Sequence, residues 1–294
     1  MIGKILSEKM RDYHPADALE QESILQEIMQ EYILASLARS GFFKKAAFHG
    51  GTCLRILYGM NRFSEDLDFI LKKPNMSFRW KEHIKAIRKD CVQEGIMFEC
   101  LDKSEVNIPV KKAFLKTDSI GKILQLGLPF KRRETRKIQI KLEIDCNPPA
   151  GSSYESRYIH FPFIAPVTAM TLESGFASKS HALLCREYIK GRDWYDFWWY
   201  VSKKIGINYK LLKNALFQFG PWAGQRIKIA PQWYKDAISA RIKKIDWKSA
   251  SEDVRRFLPL REQANLKHWN GDYFLYLTEQ LPEIPGNSQI DDQR

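Results

Sequence analysis

Residues 48–71 read FHGGTCLRILYGMNRFSEDLDFIL. The stretch begins inside a short extended run that starts at Ala46 and breaks at Gly50 and Gly51. Thr52 then opens an apolar segment with Leu54, Leu57 and Tyr58 at helical spacing, and Gly59 closes it. A glycine pair lets a backbone approach a phosphate closely, and a helix start adds N–H groups and a partial positive charge. After Arg62 and Ser64 comes a strand pattern over residues 66–71, in which Asp66 and Asp68 share one face and Leu67 and Phe69 the other. Two carboxylates side by side repel each other. A divalent cation cancels that repulsion, and Mg²⁺ commonly uses one or two carboxylates together with substrate phosphates. A glycine turn or an Asp-x-Asp strand alone is common in tight turns and solvated edges. In this order, with Arg62 and Ser64 between them, they point to a nucleoside triphosphate site. Gly50, Gly51 and Thr52 would cradle the phosphates, Arg62 would help balance their charge, and Asp66 and Asp68 would hold the metal.

The stretch resembles the minimal nucleotidyltransferase fold of the DNA polymerase beta-like superfamily. Within it, GGTCLR followed by RFSEDLDF looks like the toxin branch of AbiEii/AbiGii abortive-infection proteins. The superfamily's first motif is commonly Gly-Ser, where this chain has Gly-Gly-Thr.

Residues 137–146, KIQIKLEIDC, alternate most clearly: Ile138, Ile140, Leu142 and Ile144 against Gln139, Lys141, Glu143 and Asp145. This predicts a strand with one buried face. The polar face can supply the third carboxylate that nucleotidyl transfer needs, to hold metal or deprotonate the attacking hydroxyl. Either Glu143 or Asp145 fills that place. A half-exposed sheet carries such a polar face without any chemistry. The following Asn-Pro-Pro ends the strand, and KLEIDCNPPAG also looks like the toxin family.

A third stretch, residues 177–200, reads ASKSHALLCREYIKGRDWYDFWWY. A lysine on a helix can neutralise a triphosphate, and the planar fork of Arg192 suits phosphate. By the resemblance, Lys179, Arg192, Asp193 and Asp196 are candidates, the two acids orienting the cations. The aromatic residues 194–200 can stack bases, but their helical spacing fits core packing better.

Around these motifs, Asp17 with Glu20 predicts a capped helix with an apolar face over residues 25–37, and Gly41 predicts its end. A helix is expected over 77–94 with Trp80, Ile84, Ile87 and Val92 inward. Extended segments are expected over 96–101, 106–115 and 158–164. A helix capped by Thr168 follows, and residues 246–258 form another. The expected fold is α/β (α+β): a mixed sheet with flanking helices, then a helical C-terminal half. The expected division is a core over 1–165, a helical domain over 166–282 and a polar tail over 283–294.

The 294 residues carry a net charge of +12. Residues 111–141 hold ten Lys/Arg against two acids, and residues 203–267 fifteen against five. Such asymmetry points to an anionic macromolecular partner. No apolar run is long enough to span a bilayer, and the N-terminus lacks an apolar signal segment, so the expectation is a cytoplasmic protein with no membrane partner. Five scattered cysteines without a C-x-x-C pair fit reduced thiols.

The resemblance implies transfer of a nucleoside monophosphate from an NTP to RNA, with tRNA as acceptor, Mg²⁺ as cofactor and a separately encoded antitoxin as partner. Phage defence by abortive infection would be the setting. A small-molecule transferase of the antibiotic-modifying kind would use the same site but has less use for basic flanks. A non-catalytic nucleic-acid-binding protein would leave the acids unexplained.

Overall fold

The computed structural model describes residues 8–10, 12–93, 95–104, 108–117, 130 and 138–282. The 283–294 tail and most of the segment between residues 117 and 138 lie outside them. Two units are present. The first comprises Met1–Pro148, Ser152–Thr171 and Arg255–Asn265; the second comprises Pro149–Gly151, Leu172–Val254 and Leu266–Arg294.

In the first unit the described elements are α1 (Ala18–Arg39), β1 (Ala46–His49), α2 (Gly50–Tyr58), β2 (Asp66–Leu71) and α3 (Lys81–Gln93). They continue with β3 (Glu99–Asp102), β4 (Val110–Thr117), β5 (Ile138–Asp145), β6 (Tyr154–Ile159) and β7 (Ala165–Met170). The strands form a seven-stranded mixed sheet in the order β3-β4-β5-β2-β1-β7-β6. β2 is central, antiparallel to β1 and parallel to β5. Its inner face buries Leu67, Phe69 and Leu71, and β5 buries Ile138, Ile140, Leu142 and Ile144, the alternation expected of both strands.

α1 starts where its caps predict. The Asp17 side chain accepts from Glu20 N at 2.8 Å, and Gly41 follows the end of the helix in the left-handed region. The helix is buried on more than its apolar face: Gln21, Glu27, Gln30, Glu31 and Ser36 are enclosed as well. Buried polar groups need partners, and most of these have them; Glu31 Oε2 makes no hydrogen bond and has Lys9 Nζ at 3.4 Å. Gln21 exchanges two hydrogen bonds with the Phe130 backbone, and Arg55 Nε lies 2.5 Å from Glu27 Oε2.

Several expectations shift. The helix expected from residue 77 begins at Lys81; Trp80 is buried just before it, and Cys91 turns inward while Val92 is exposed. The strand expected over 158–164 is displaced to β6, and Thr168 caps nothing. It lies in β7, donating to Phe43 O at 3.0 Å and accepting from Lys72 Nζ at 3.1 Å. Because β7 pairs with both β1 and β6, the sheet extends to Met170.

The second unit is helical: α4 (Leu172–Cys185), α5 (Gly191–Ser202), α6 (Tyr209–Gln218), α7 (Pro231–Ile242), α8 (Trp247–Arg255) and α10 (Gly271–Glu279), with α9 (Leu260–Gln263) belonging to the first unit. The aromatic run of α5 is core. Trp194, Tyr195, Phe197, Trp199 and Tyr200 are buried, and Tyr200 stacks on Phe176 at 4.6 Å between ring centroids. No described helix is long and apolar enough to cross a membrane.

Candidate active site

β1 stops at His49, which takes an extended conformation and stands at the N-cap of α2. The helix therefore begins at Gly50, two residues before the expected start, and Thr52 is inside its first turn rather than capping it. Thr52 is fully buried, and its hydroxyl donates to Asp66 O. It fastens the helix to β2. Gly50 has φ +80°, and a Cβ there would lie 2.5 Å from Asp68 Oδ2. Both facts demand glycine. Gly50→Ala combines left-handed strain of about 1–2 kcal/mol with that collision. It is expected to lower stability by about 2 kcal/mol or more in thermal or urea unfolding; a melt matching the wild type would contradict this geometry.

Arg62 is 2% exposed. Its Nη1 donates to Phe63 O at 2.9 Å, and its Nη2 lies so close to Gly51 that a Cβ there would collide. The expected phosphate ligand is thus packed beneath the glycine turn and supports its backbone. Ser64 is held in place by Gln30, whose Nε2 donates to Ser64 O at 2.9 Å.

On the outer face, Asp68 lies between His49 of β1 and Glu143 of β5 in strand register, and Asp66 lies opposite Lys141. Asp145 lies opposite Ile70, at the end of the strand, and its Oδ1 accepts from Asn147 N at 2.8 Å. Glu143 is thus level with the Asp-x-Asp pair, and Asp145 is beyond it. Glu143 Oε1 is 2.9 Å from Lys141 Nζ and 3.1 Å from Lys112 Nζ. Burial pushes the Glu143 carboxyl up, but the two lysines outweigh it and hold the group below its usual range. Asp66 is raised to about 6, by burial first and then by the charge of Asp68, with Lys141 opposing.

A cavity of about 460 Å³ opens beside Asp66. Its walls come from the first turns of α1, the Phe63–Asp66 segment, the start of β5, and Arg256 with Phe257. The 255–265 segment reaches this place because Phe63 N donates to Phe257 O at 2.7 Å and Asn61 Nδ2 to Glu262 Oε1 at 2.9 Å.

In the second unit, Lys179 Nζ lies 3.0 Å from Asp193 Oδ1 and 2.7 Å from Asp196 Oδ2. Arg186 bonds the other oxygen of Asp193. The expected group of Lys179, Asp193 and Asp196 is therefore assembled, with Arg186 as a further member. Arg192 is half-buried in the first turn of α5.

A family model described as nucleotidyl transferase AbiEii toxin, type IV TA system, matches residues 32–275. The chain belongs to the AbiEii toxin family. It is a nucleotidyltransferase by that membership, with an NTP as substrate and an antitoxin as the counterpart that a toxin–antitoxin system implies. Among solved structures, MenT4, a nucleotidyltransferase toxin from Mycobacterium tuberculosis, is similar at 15% identity and TM-score 0.49, covering 94% of this chain and 99% of that one. JHP933 from Helicobacter pylori is similar at 16% identity and TM-score 0.41, covering 88% of each chain. None of the curated proteins matches.

Nucleotidyltransferases generally use a divalent metal, and the AbiEii carboxylates fit one in part. Asp66 and Asp68 offer the one or two carboxylates that Mg²⁺ takes beside substrate phosphates, and burial together with the charge of Asp68 raises Asp66. Glu143 is turned onto two lysines, and among the described residues no three acidic, histidine or cysteine side chains converge as a ready metal group.

Burial would push the Asp193 carboxyl up, but Lys179, Arg186 and Lys190 outweigh it and hold it at about 2. A depressed carboxyl stabilises the fold above its unfolded value near 4, and the contribution is lost as pH falls toward 2. Asp193→Asn is expected to destabilise the AbiEii fold by about 2–4 kcal/mol at pH 7, with the gap to wild type shrinking below pH 4. Urea titrations at pH 7 and pH 3 check this; a pH-independent gap would contradict it.

Proposed function

We propose that the protein is a Mg²⁺-dependent toxin that transfers a nucleoside monophosphate from an NTP to the hydroxyl of an RNA acceptor, with tRNA as the acceptor class. The observation that carries the reading is the strand register. The glycine turn abuts Asp68, Asp66 stands two residues away on the same face, and Glu143 is level with Asp68. Donor phosphates on the Gly50–Gly51 turn would lie beside the two carboxylates. Mg²⁺, held by Asp66 and Asp68, would supply neutralising charge on the phosphates. Glu143, or Asp145 in its place, would accept the proton of the attacking hydroxyl. Such transfer is mainly positioning and electrostatics and needs no covalent residue.

The reading enlists Lys179 and Arg192 as cations for the triphosphate, with Asp193 and Asp196 orienting Lys179, and keeps Arg62 and Ser64 as supports of the turn. The net charge of +12 supports an RNA acceptor over a small cationic antibiotic. On this reading the toxin would act in the cytoplasm, where NTP and tRNA are found, with its antitoxin preventing self-poisoning and phage defence as the setting.

Incubation of the purified protein with each α-labelled NTP, Mg²⁺ and either total cellular RNA or an aminoglycoside tests the reading. Label is expected in the RNA fraction and dependent on Mg²⁺. Label on the aminoglycoside alone would assign the small-molecule class instead.

A further inference from the structure

The cavity beside Asp66 is not used by any of the roles above. Its lining includes neither glycine of the turn nor Asp68; it meets the carboxylate pair only at Asp66 and comes near the turn only through Ser64, which lies against Gly51. Gly50, by contrast, abuts Asp68. Gly50 and the cavity therefore meet the Asp-x-Asp pair at different carboxylates. These are about 7 Å apart by the rise of a strand. Phosphoryl-type transfer brings attacking and leaving oxygens roughly into line through phosphorus, so a donor seated on the turn leaves the Asp66 end for the acceptor.

Size and chemistry agree with this. About 460 Å³ lies within the range of ~300–1,000 Å³ for small-ligand pockets, enough for one nucleotide unit and too little for a folded RNA. The lining mixes the carboxylates Glu22, Glu65 and Asp66 with the cations Lys141 and Arg256. Nucleoside edges and ribose hydroxyls present both donors and acceptors, so a mixed lining suits them better than a uniformly cationic one. The exposed Arg256 guanidinium stacks on the Phe257 ring at 4.5 Å. Guanidinium planes stack on unpaired bases and bond phosphates. The segment that brings it, residues 255–265, also carries Arg255 and Arg261 against one acid, Glu262, which Asn61 already engages. A chain of phosphates leaving the cavity would meet positive charge. The α1 wall, including Ser23, lies before residue 32, where the family match begins.

We infer that the cavity beside Asp66 seats the terminal nucleotide of a single-stranded RNA acceptor and delivers its hydroxyl to that end of the carboxylate pair. The inference rests on the transferase reading. In the reaction, the acceptor oxygen forms a bond to the α-phosphorus of the NTP, and the bond from that phosphorus to the bridging oxygen breaks. Pyrophosphate leaves with the electron pair, and the hydroxyl proton passes to a carboxylate of the site.

The test measures two affinities separately. A 5′-fluorescein RNA tetranucleotide with a free 3′ end reports the acceptor seat by anisotropy, and a labelled NTP with Mg²⁺ reports the donor seat. Ser23→Trp fills the cavity from a half-exposed position of α1, and Arg256→Ala removes the exposed guanidinium; circular dichroism confirms that each is folded. Both are expected to weaken tetranucleotide binding about tenfold or more while NTP affinity stays within about twofold. Unchanged tetranucleotide binding in both folded variants, or a matching loss of NTP binding, would overturn the inference. Absence of transfer by a wild type that binds tetranucleotide through this cavity would sink the transferase reading and leave the seat standing.

Discussion

Asp66→Asn is expected to stop nucleotide transfer and, in the absence of metal, to make the protein harder to unfold at neutral pH. The two effects have one cause. Burial and the neighbouring Asp68 raise the Asp66 carboxyl to about 6. A carboxyl raised in the folded state costs stability once pH exceeds its unfolded value near 4, and the full cost is reached above 6. Asparagine removes the charge at nearly constant volume. The shift corresponds to at most about 3 kcal/mol; because Asp66 is only half-buried, a gain of about 1–2 kcal/mol is expected after solvent screening. The gain should vanish below pH 4, where the wild-type carboxyl is protonated in both states. Transfer should fall about 100-fold or more, since a carboxylate that holds charge beside the phosphates is lost. Urea unfolding in EDTA at pH 8 and pH 4, beside a transfer assay, checks both halves. A folded variant with normal transfer would remove Asp66 from the site, and a loss of stability at pH 8 would refute the repulsion.

The second large effect separates Glu143 from Asp145. Glu143 stands opposite Asp68 and is gripped by Lys141 and Lys112; Asp145 stands opposite the apolar Ile70 and bonds the backbone that ends its strand. Glu143→Gln is expected to lower kcat about 100-fold or more with KM for NTP within about twofold. Asp145→Asn is expected to cost less than about fivefold, together with some stability from the lost turn. Steady-state kinetics on both variants decide. Reversed severities would make Asp145 the proton acceptor.

Reading from residues to fold succeeded where the physics is local. The alternation of Ile138, Ile140, Leu142 and Ile144 marks a half-buried strand whatever surrounds it, and Asp17 with Glu20 marks a helix start through bonds within one turn. The placement of Asp66 and Asp68 on one face followed from the twofold period alone. Other features depend on partners far away in the chain. Pro166 and Thr168 look like the lead-in to a helix; only pairing with β1 and β6 makes them part of a strand. Thr52 looks like a cap until Asp66 O is found against its hydroxyl. Arg62 looks like a phosphate ligand because nothing nearby in sequence shows that it packs under Gly51. The choice between Glu143 and Asp145 as the acid level with Asp68 required the register of β5 on β2, which no single strand contains. The return of residues 255–265 to the sheet rests on bonds from Phe63 and Asn61, about two hundred residues earlier, and carries no local signal.

The most direct measurement of the central claim is the intact mass of purified tRNA after incubation with the protein, Mg²⁺ and each NTP in turn. Wild type is expected to yield a tRNA population heavier by one or more nucleoside monophosphate residues, and Asp66→Asn to leave the tRNA mass unchanged. Unchanged mass with wild type across all four NTPs, or an equal gain with the folded Asp66→Asn variant, would contradict it.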